Sequence, residues 1–202
     1  MSPIPPADKS KTLSWLLRHG AAQEGLDVNP AGWVPVEQVL DYLQMSKTDL
    51  LQFVVHNSKK RLQITDSHIR ACQGHSTEAM PIDINALEQS WEIFSGDASI
   101  WHGTNLEAVE NIATDGILPV KRTHVHLAPS KDSLVGKRHN TPVLLEVSSS
   151  RVRKMGIQIF QAQNGVVLAR TVPAECIVHA HPISRAALKK AEELKRLFRR
   201  YR

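Results

Sequence analysis

Arg18-His19 is the first place along the 202-residue chain where residue types suited to an anion adjoin. A guanidinium presents a planar fork of donors to a phosphate, and an imidazole beside it donates or relays a proton. The same pair also serves as a cationic cap on a helix C-terminus, where the macrodipole favours positive charge. Lys59-Lys60-Arg61 is a second cationic cluster. Its lysines read as a solvated turn, whereas strand alternation fixes Arg61 to one face. Gln73-Gly74-His75-Ser76 follows as a polar loop.

Three further stretches lie in the second half. In Trp101-His102-Gly103-Thr104 a strand ends in His-Gly-Thr before a helix. Gly103 lets backbone approach a ligand closely, and His102 and Thr104 then hydrogen-bond a ribose or an amide; an ordinary strand-to-helix turn has the same letters. In Arg122-Thr123-His124-Val125-His126-Leu127 a period of two puts Arg122, His124 and His126 on one face. His-x-His can also place two imidazoles on one ion, but the nearest acids, Asp115 and Asp132, are out of register, and no metal is expected. His179 and His181 repeat the pattern with no better support. Gln163-Asn164-Gly165-Val166 is a hairpin turn signal.

These residues need elements to hold them. Ser10 is placed to cap a helix with Leu13, Leu16 and Leu17 on one face, closing at Gly20. Pro35 opens a second helix through Leu43, and Ser46 with Asp49 caps a third carrying Leu50, Leu51, Val54 and Val55. Around Asp66-Ser67 the period changes to two. If 63 pairs with 70, then Arg61, Gln63 and Arg70 share one hairpin face and Leu62, Ile64, Ile69 and Ala71 the other. Three helices and a hairpin describe a winged-helix module. Residues 78–95 read as a connector with a short helix near Leu87. Strands are expected at Ile100–His102, His124–Ala128, Val143–Val147 and Val166–Ala169, with helices from Leu106 to Asp115 and after Ser130. From Ser184 a helix carries the stripe Leu188, Ala191, Leu194, Leu197 and Tyr201.

The net charge of +5 invites a nucleic-acid reading, but its location matters more than its size. Arg185 to Arg202 holds eight basic residues against Glu192 and Glu193, leaving the rest of the chain close to neutral. The body thus suits a compact phosphate site, and the basic tail a nonspecific hold on nucleic acid. No apolar run approaches the roughly 20 residues of a membrane helix. The N-terminus lacks a secretory pattern. Cys72 and Cys176 form no CxxC pair, so a reducing, cytoplasmic setting is expected.

Taken in order, Ser10-Lys11-x-Leu13-Ser14-x-x-Leu17-Arg18-His19, Gly32-Trp33-Val34, Lys60-Arg61 and Arg70-Ala71-x-Gln73-Gly74-His75-Ser76 resemble the N-terminal half of the RNA (tRNA) 2′-phosphotransferase family. His102-Gly103-Thr104, Gly116-Ile117, Arg122-x-His124-Val125-His126-Leu127, Gly136-x-Arg138-His139-x-x-Pro142-Val143 and Asn164-Gly165-Val166 resemble its C-terminal half. The resemblance, which covers about residues 10–180, implies an α+β chain with a winged-helix RNA-binding lobe over 10–80 and an NAD-binding, ADP-ribosyltransferase-like lobe of antiparallel sheets over 96–183; by composition and pattern residues 1–9 read as disordered, 81–95 as a connector and 184–202 as a basic helical tail, which lies outside the family pattern. It also implies a reaction. An internal RNA 2′-phosphate attacks C1″ of the nicotinamide ribose of NAD and expels nicotinamide. Transesterification of the ADP-ribosylated RNA then gives 2′-hydroxyl RNA and ADP-ribose 1″,2″-cyclic phosphate.

The family's catalytic Arg-His-Arg-Arg set falls on Arg18, His19, Arg61 and Arg122. Arg18 and Arg61 are assigned to the 2′-phosphate, Arg122 to phosphate charge in the second step, and His19 to phosphate or proton movement. His102, Gly103, Thr104, His126 and Asn164 are implied cofactor contacts, and Arg70, Gln73 and His75 implied RNA contacts. Ala169 stands where relatives commonly carry a hydroxyl. The implied partners are RNA with an internal 2′-phosphate and NAD, with no membrane and a monomeric state. Two other readings stay open: an ADP-ribosyltransferase acting on terminal nucleic-acid phosphates or protein, and a nucleotide-sensing winged-helix regulator. The second needs a basic recognition helix, and Lys47–His56 carries one lysine.

Overall fold

Leu13, Leu16 and Leu17 recur at the spacing of one helical face, and the computed structural model, which describes residues 6–137 and 140–198, buries all three completely. Their helix, α1, spans Pro6–Trp15 and continues as a π-helical turn over Leu16–Gly20. One expectation changes here. The helix begins at Pro6 instead of Ser10, so residues 6–9 are helical; proline's fixed φ and missing N–H suit a first helical position. The turn ends at Gly20, as expected, with Arg18 and His19 in its last turn, and Ala21 follows as the C-cap, donating its N–H to Leu16 O. A side chain at Gly20 would run into the Trp15 ring, so the glycine makes room for that indole.

β1 (Val34–Pro35), α2 (Val36–Leu43), α3 (Lys47–Val55), β2 (Leu62–Ile64) and β3 (His68–Ala71) follow. Pro35 precedes α2 as its cap, as expected. Ser46 accepts the Asp49 N–H at 3.1 Å and donates to its carboxylate at 2.7 Å, closing the start of α3. The hairpin has the register read from its alternation, with Leu62 opposite Ala71, Gln63 opposite Arg70 and Ile64 opposite Ile69. β1 pairs with the other edge of β3, giving an antiparallel sheet of order β1-β3-β2. Leu13, Leu17, Val39, Leu43, Leu50, Ile69 and Met80 build one apolar core. α4 (Ile84–Glu88) is capped by Asp83 and buries Leu87.

The chain divides into two units, Met1–Trp91 with Lys121–Thr123, and Glu92–Val120 with His124–Arg202. Much of the expected connector therefore belongs to the first unit. Asp83 donates its N–H to Pro30 O at 3.0 Å, and Trp91 donates from Nε1 to Cys72 O at 2.9 Å.

The second unit holds two antiparallel sheets. One orders β10 (Ile177–Pro182), β7 (Val143–Val147) and β5 (Ile100–Thr104); the other orders β4 (Glu92–Ile93), β8 (Ile159–Gln161), β9 (Val167–Ala169) and β6 (Val125–Leu127). Ile100, Val125, Leu127, Leu145, Val147 and Val167 fill its core. α5 (Val109–Asp115) ends at Gly116 as expected, and α6 (Ser149–Lys154) is capped by Ser148. Asn164-Gly165 turns β8 into β9, with the Ala162 N–H on Val166 O at 2.9 Å. No helix follows Ser130; residues 129–137 are bends and turns. Gly136, in the left-handed region, lies too close against the Leu127 carbonyl for any Cβ, which holds this loop along β6. Arg138 and His139 lie outside the described residues.

The tail forms α7 (Arg185–Lys189) and α8 (Ala191–Leu197), separated at Lys190. Ala187, Leu194 and Phe198 enter the core of the second unit. The break resets the helical phase, so Leu188, expected on the apolar stripe, is 56% exposed; Tyr201 lies outside the described residues. The segment read as an RNA-holding tail is thus also core structure. Leu194→Ala should lower unfolding free energy by about 2–5 kcal/mol. Urea denaturation checks this; an unchanged midpoint would mean that α8 does not dock as described.

Candidate functional site

Ser10, Ser14 and Arg18 recur every four residues along α1 and its π-helical turn, and Lys11 and Trp15 repeat the interval beside them. This stripe lies opposite the Leu13, Leu16 and Leu17 face that fixes the helix in the core. With His19, Asn57 and Arg61 it lines a cavity of about 360 Å³. The Arg18 side chain is anchored twice, donating from Nε to Gln73 O at 3.0 Å and from Nη1 to Ser14 Oγ at 2.7 Å. Both acceptors are neutral, so they orient the guanidinium without cancelling its charge. π-helical turns often mark functional positions, because the wider turn re-aims side chains off the regular helix.

Arg61 arrives from the other wall. Asn57 Oδ1 accepts the Lys59 N–H at 3.2 Å and the Arg61 N–H at 3.4 Å, and Lys60 takes a left-handed φ of 43°. That turn delivers Arg61 immediately before β2. Arg122 comes from the Lys121–Thr123 segment, where it forms an antiparallel bridge with Ser76, whose N–H donates to Arg18 O at 2.9 Å. Burial, then the charges of Arg61 and Arg122, hold the Arg18 pKa down at about 10. Burial, then Arg18 and Arg122, also lower that of His19. The structure therefore brings together all four residues of the expected catalytic set, three of them arginines whose charges destabilise one another and disfavour a proton on His19. A bound anion would relieve that repulsion.

Sequence reasoning did not single out Ser10, Lys11, Ser14, Trp15 or Asn57 as part of this site. The four-residue recurrence opposite the leucines was the available signal for the first four. Nothing local marked Asn57, which acts through a turn.

Arg70, Gln73 and His75 are positioned otherwise than as open RNA contacts. Arg70 is 2% exposed. Its guanidinium donates to Gln63 Oε1 at 2.9 and 2.8 Å, to Ala31 O at 3.1 Å and to Ser90 Oγ at 2.8 Å, and lies 4.5 Å from the Trp33 ring centre. Gln73 is buried and offers its backbone carbonyl to Arg18. His75 is fully buried, and neither ring nitrogen has a hydrogen-bond partner among the described residues. Gly32 sits over it with φ +81°, and a Cβ there would fall 2.6 Å from Nε2. The Gly32-Trp33-Val34 motif thus covers His75, stacks on Arg70 and enters β1. Burial, followed by repulsion from Arg18, Arg70 and His19, lowers the His75 pKa to about 3. Burial likewise pushes the Cys72 thiol up to about 11, so it is no ready nucleophile.

In the second unit, His102 Nδ1 donates to His126 O at 3.0 Å, the tautomer that puts an acceptor lone pair on Nε2. His102, Thr104 and His126 are half-buried. Gly103 is approached by the chain's own Thr141, whose Oγ1 would lie 2.6 Å from a Cβ there. Asn164 Oδ1 accepts the Val166 N–H at 3.4 Å, which serves the turn. Ala169 is buried between Val125 and Ile159. The shared face expected for Arg122, His124 and His126 does not form. The strand begins only at Val125, Arg122 belongs to the first unit, and His124 is buried edge-on to Phe160. His181 pairs with Glu146 at 3.0 Å beside His179. Among the described residues, no group of three or more His, Cys, Asp or Glu is placed to hold a metal ion. No helix among them is long and apolar enough to cross a membrane.

Comparison with known proteins places the chain in a class of phosphate-transferring enzymes. Residues 6–171 match the model of "RNA 2′-phosphotransferase, Tpt1 / KptA family". A Burkholderia lata protein named "Probable RNA 2′-phosphotransferase" is 36% identical over 86% of this chain and 91% of its own. Relatives of the same name from Pseudomonas syringae pv. tomato and Acaryochloris marina are 35% and 32% identical, over 82% and 84% of this chain and 90% and 94% of theirs. The chain belongs to the RNA 2′-phosphotransferase, Tpt1/KptA family.

The neutral, buried His75 has a consequence for stability. Its folded pKa lies below its unfolded one, so its contribution is intact above about pH 6.5 and falls as the unfolded state takes up a proton. The loss approaches about 1.4 kcal/mol per pH unit and ends near the folded value. His75→Gln should flatten the pH dependence of the urea midpoint between pH 6.5 and 5; parallel curves for variant and wild type would refute the burial.

Proposed function

We propose that this chain removes an internal 2′-phosphate from RNA and transfers it to NAD, giving 2′-hydroxyl RNA, nicotinamide and ADP-ribose 1″,2″-cyclic phosphate. The observation that carries this reading is the gathering of Arg18, His19, Arg61 and Arg122 in one unit, three of them lining one cavity and all four in electrostatic contact. A phosphate dianion acting as nucleophile must be gripped by directional charged donors while one oxygen stays available. Arg18, braced by Ser14 and Gln73, and Arg61, braced by the Asn57 turn, are the grip. One phosphate oxygen forms the bond to C1″ as the C1″–N bond breaks and nicotinamide leaves. In the second step the 2″-hydroxyl attacks phosphorus and the P–O2′ bond breaks, the RNA oxygen taking up a proton. Arg122 stabilises phosphate charge there. His19, whose lowered pKa keeps it neutral at pH 7, accepts or donates a proton beside the phosphate.

NAD supplies the electrophilic ribose carbon. His102 fits a ribose contact, because its Nδ1 bond to His126 O orients an acceptor on Nε2 toward a hydroxyl. Thr104, Gly103, His126 and Asn164 complete the proposed cofactor set. The helix–strand–helix–helix–hairpin order with sheet β1-β3-β2 supports a winged-helix first lobe. The two antiparallel sheets support an ADP-ribosyltransferase-like second lobe. The chain is proposed to act as a cytoplasmic monomer without metal.

An RNA with an internal 2′-phosphate should lose it only when NAD is supplied, with no added metal, and mass analysis should find the cyclic phosphate product. Retention of the phosphate would refute the reading. Arg61→Ala should slow phosphate removal by about 10²–10³-fold while NAD binding persists. Equal loss of both would mean that Arg61 serves the NAD site.

A further inference from the structure

A second cavity opens in the first unit, about 430 Å³, between α1 and α3. Its lining is Lys9, Met45, Asp49, Gln52, Phe53 and His56. Phe53 and His56 bring aromatic rings, and Met45 brings a polarisable sulfur that favours aromatic contact. Gln52 carries both a donor and an acceptor, Asp49 acceptors and Lys9 donors. His56 is oriented, because its Nδ1–H donates to Gln52 O at 2.9 Å, one turn back on α3. Lys9 is tethered by one N–H to Gln44 O at 2.8 Å. Asp49 is fixed by its exchange with Ser46. Aromatic and apolar side chains beside fixed donors and acceptors suit a planar heterocycle with a hydrogen-bonding edge.

The place of this cavity says which heterocycle. Lys9 lines it and Ser10 lines the phosphate cavity; His56 lines it and Asn57 lines the phosphate cavity. Each wall passes from one cavity to the other between consecutive residues, whose Cα atoms are about 3.8 Å apart. A group covalently close to a phosphate held in the adjoining cavity fits that arrangement. We infer that the α1–α3 cavity is a nucleobase subsite, which takes the base of a nucleotide adjoining the one that carries the 2′-phosphate. This rests on the proposed RNA 2′-phosphate function. It also gives α3 a role that its scarcity of basic residues leaves open: the helix holds a base, and the cations of the adjoining cavity hold phosphate.

The test is calorimetric binding of the full chain without NAD, so that no turnover is involved. The probes are a 2′-phosphorylated RNA trinucleotide, the same molecule with its two flanking nucleotides abasic, and inorganic phosphate. Wild type should bind the intact trinucleotide about tenfold more tightly than the abasic one, a ratio within the range of one stacked base. The double variant Gln52→Ala/His56→Ala, whose positions are exposed on α3, should bind the two RNAs alike and inorganic phosphate as wild type does. Phe53→Leu should reduce the preference while keeping apolar volume. Equal binding of both RNAs by wild type overturns the inference, as does a preference that survives in the double variant, or failure of the intact RNA to bind. Base-dependent binding without phosphate removal would instead refute the proposed activity and leave the subsite standing.

Discussion

Positive charges do not share a half-buried cavity without cost, and the first unit is organised around holding Arg18, Arg61 and Arg122 near one another and His19. Low dielectric strengthens their repulsion, and burial first, then that repulsion, holds the Arg18 pKa down at about 10. The acceptors that fix Arg18 are a hydroxyl and a carbonyl. A carboxylate there would have neutralised the site and competed with the ligand. What holds the cations in place is therefore packing and backbone: the leucine face of α1, the Asn57 turn, and the bridge from Ser76 to Arg122.

Beneath them lies a second layer of polar residues that do not reach solvent. Arg70 spends its donors on Gln63, Ala31 and Ser90 and its face on Trp33. His75 is kept neutral by burial beneath Gly32. A protonated imidazole here would add another cation under Arg18. Family motifs that look like ligand contacts in a linear reading can thus belong to the support of a site, because supporting and contacting residues draw on the same polar types.

Much of the fold was legible from pattern. The hairpin register followed from alternation, since a slip of one residue would have turned Ile69 and Ala71 out of the core. The caps at Pro35 and Ser46 and the Asn164-Gly165 turn rest on chemistry within a few residues. Where the reading failed, the deciding contact was distant in sequence or sterically particular. Leu188 looked buried because the phase break at Lys190 has no local signature. Arg122 looked like the outer end of a strand, and its bridge to Ser76 lies 46 residues away.

The sequence by itself determined the ordered set of motifs, and with it the family, the three arginines and one histidine of the expected set, and the elements that carry them. Residue type and short-range period are properties of the chain alone. Tertiary structure decided which polar residues face the cavity and which are sealed beneath it, how far the end of the chain is core, and that a second cavity adjoins the cationic one. Burial and electrostatic repulsion depend on which distant segments meet, and no local pattern encodes that meeting.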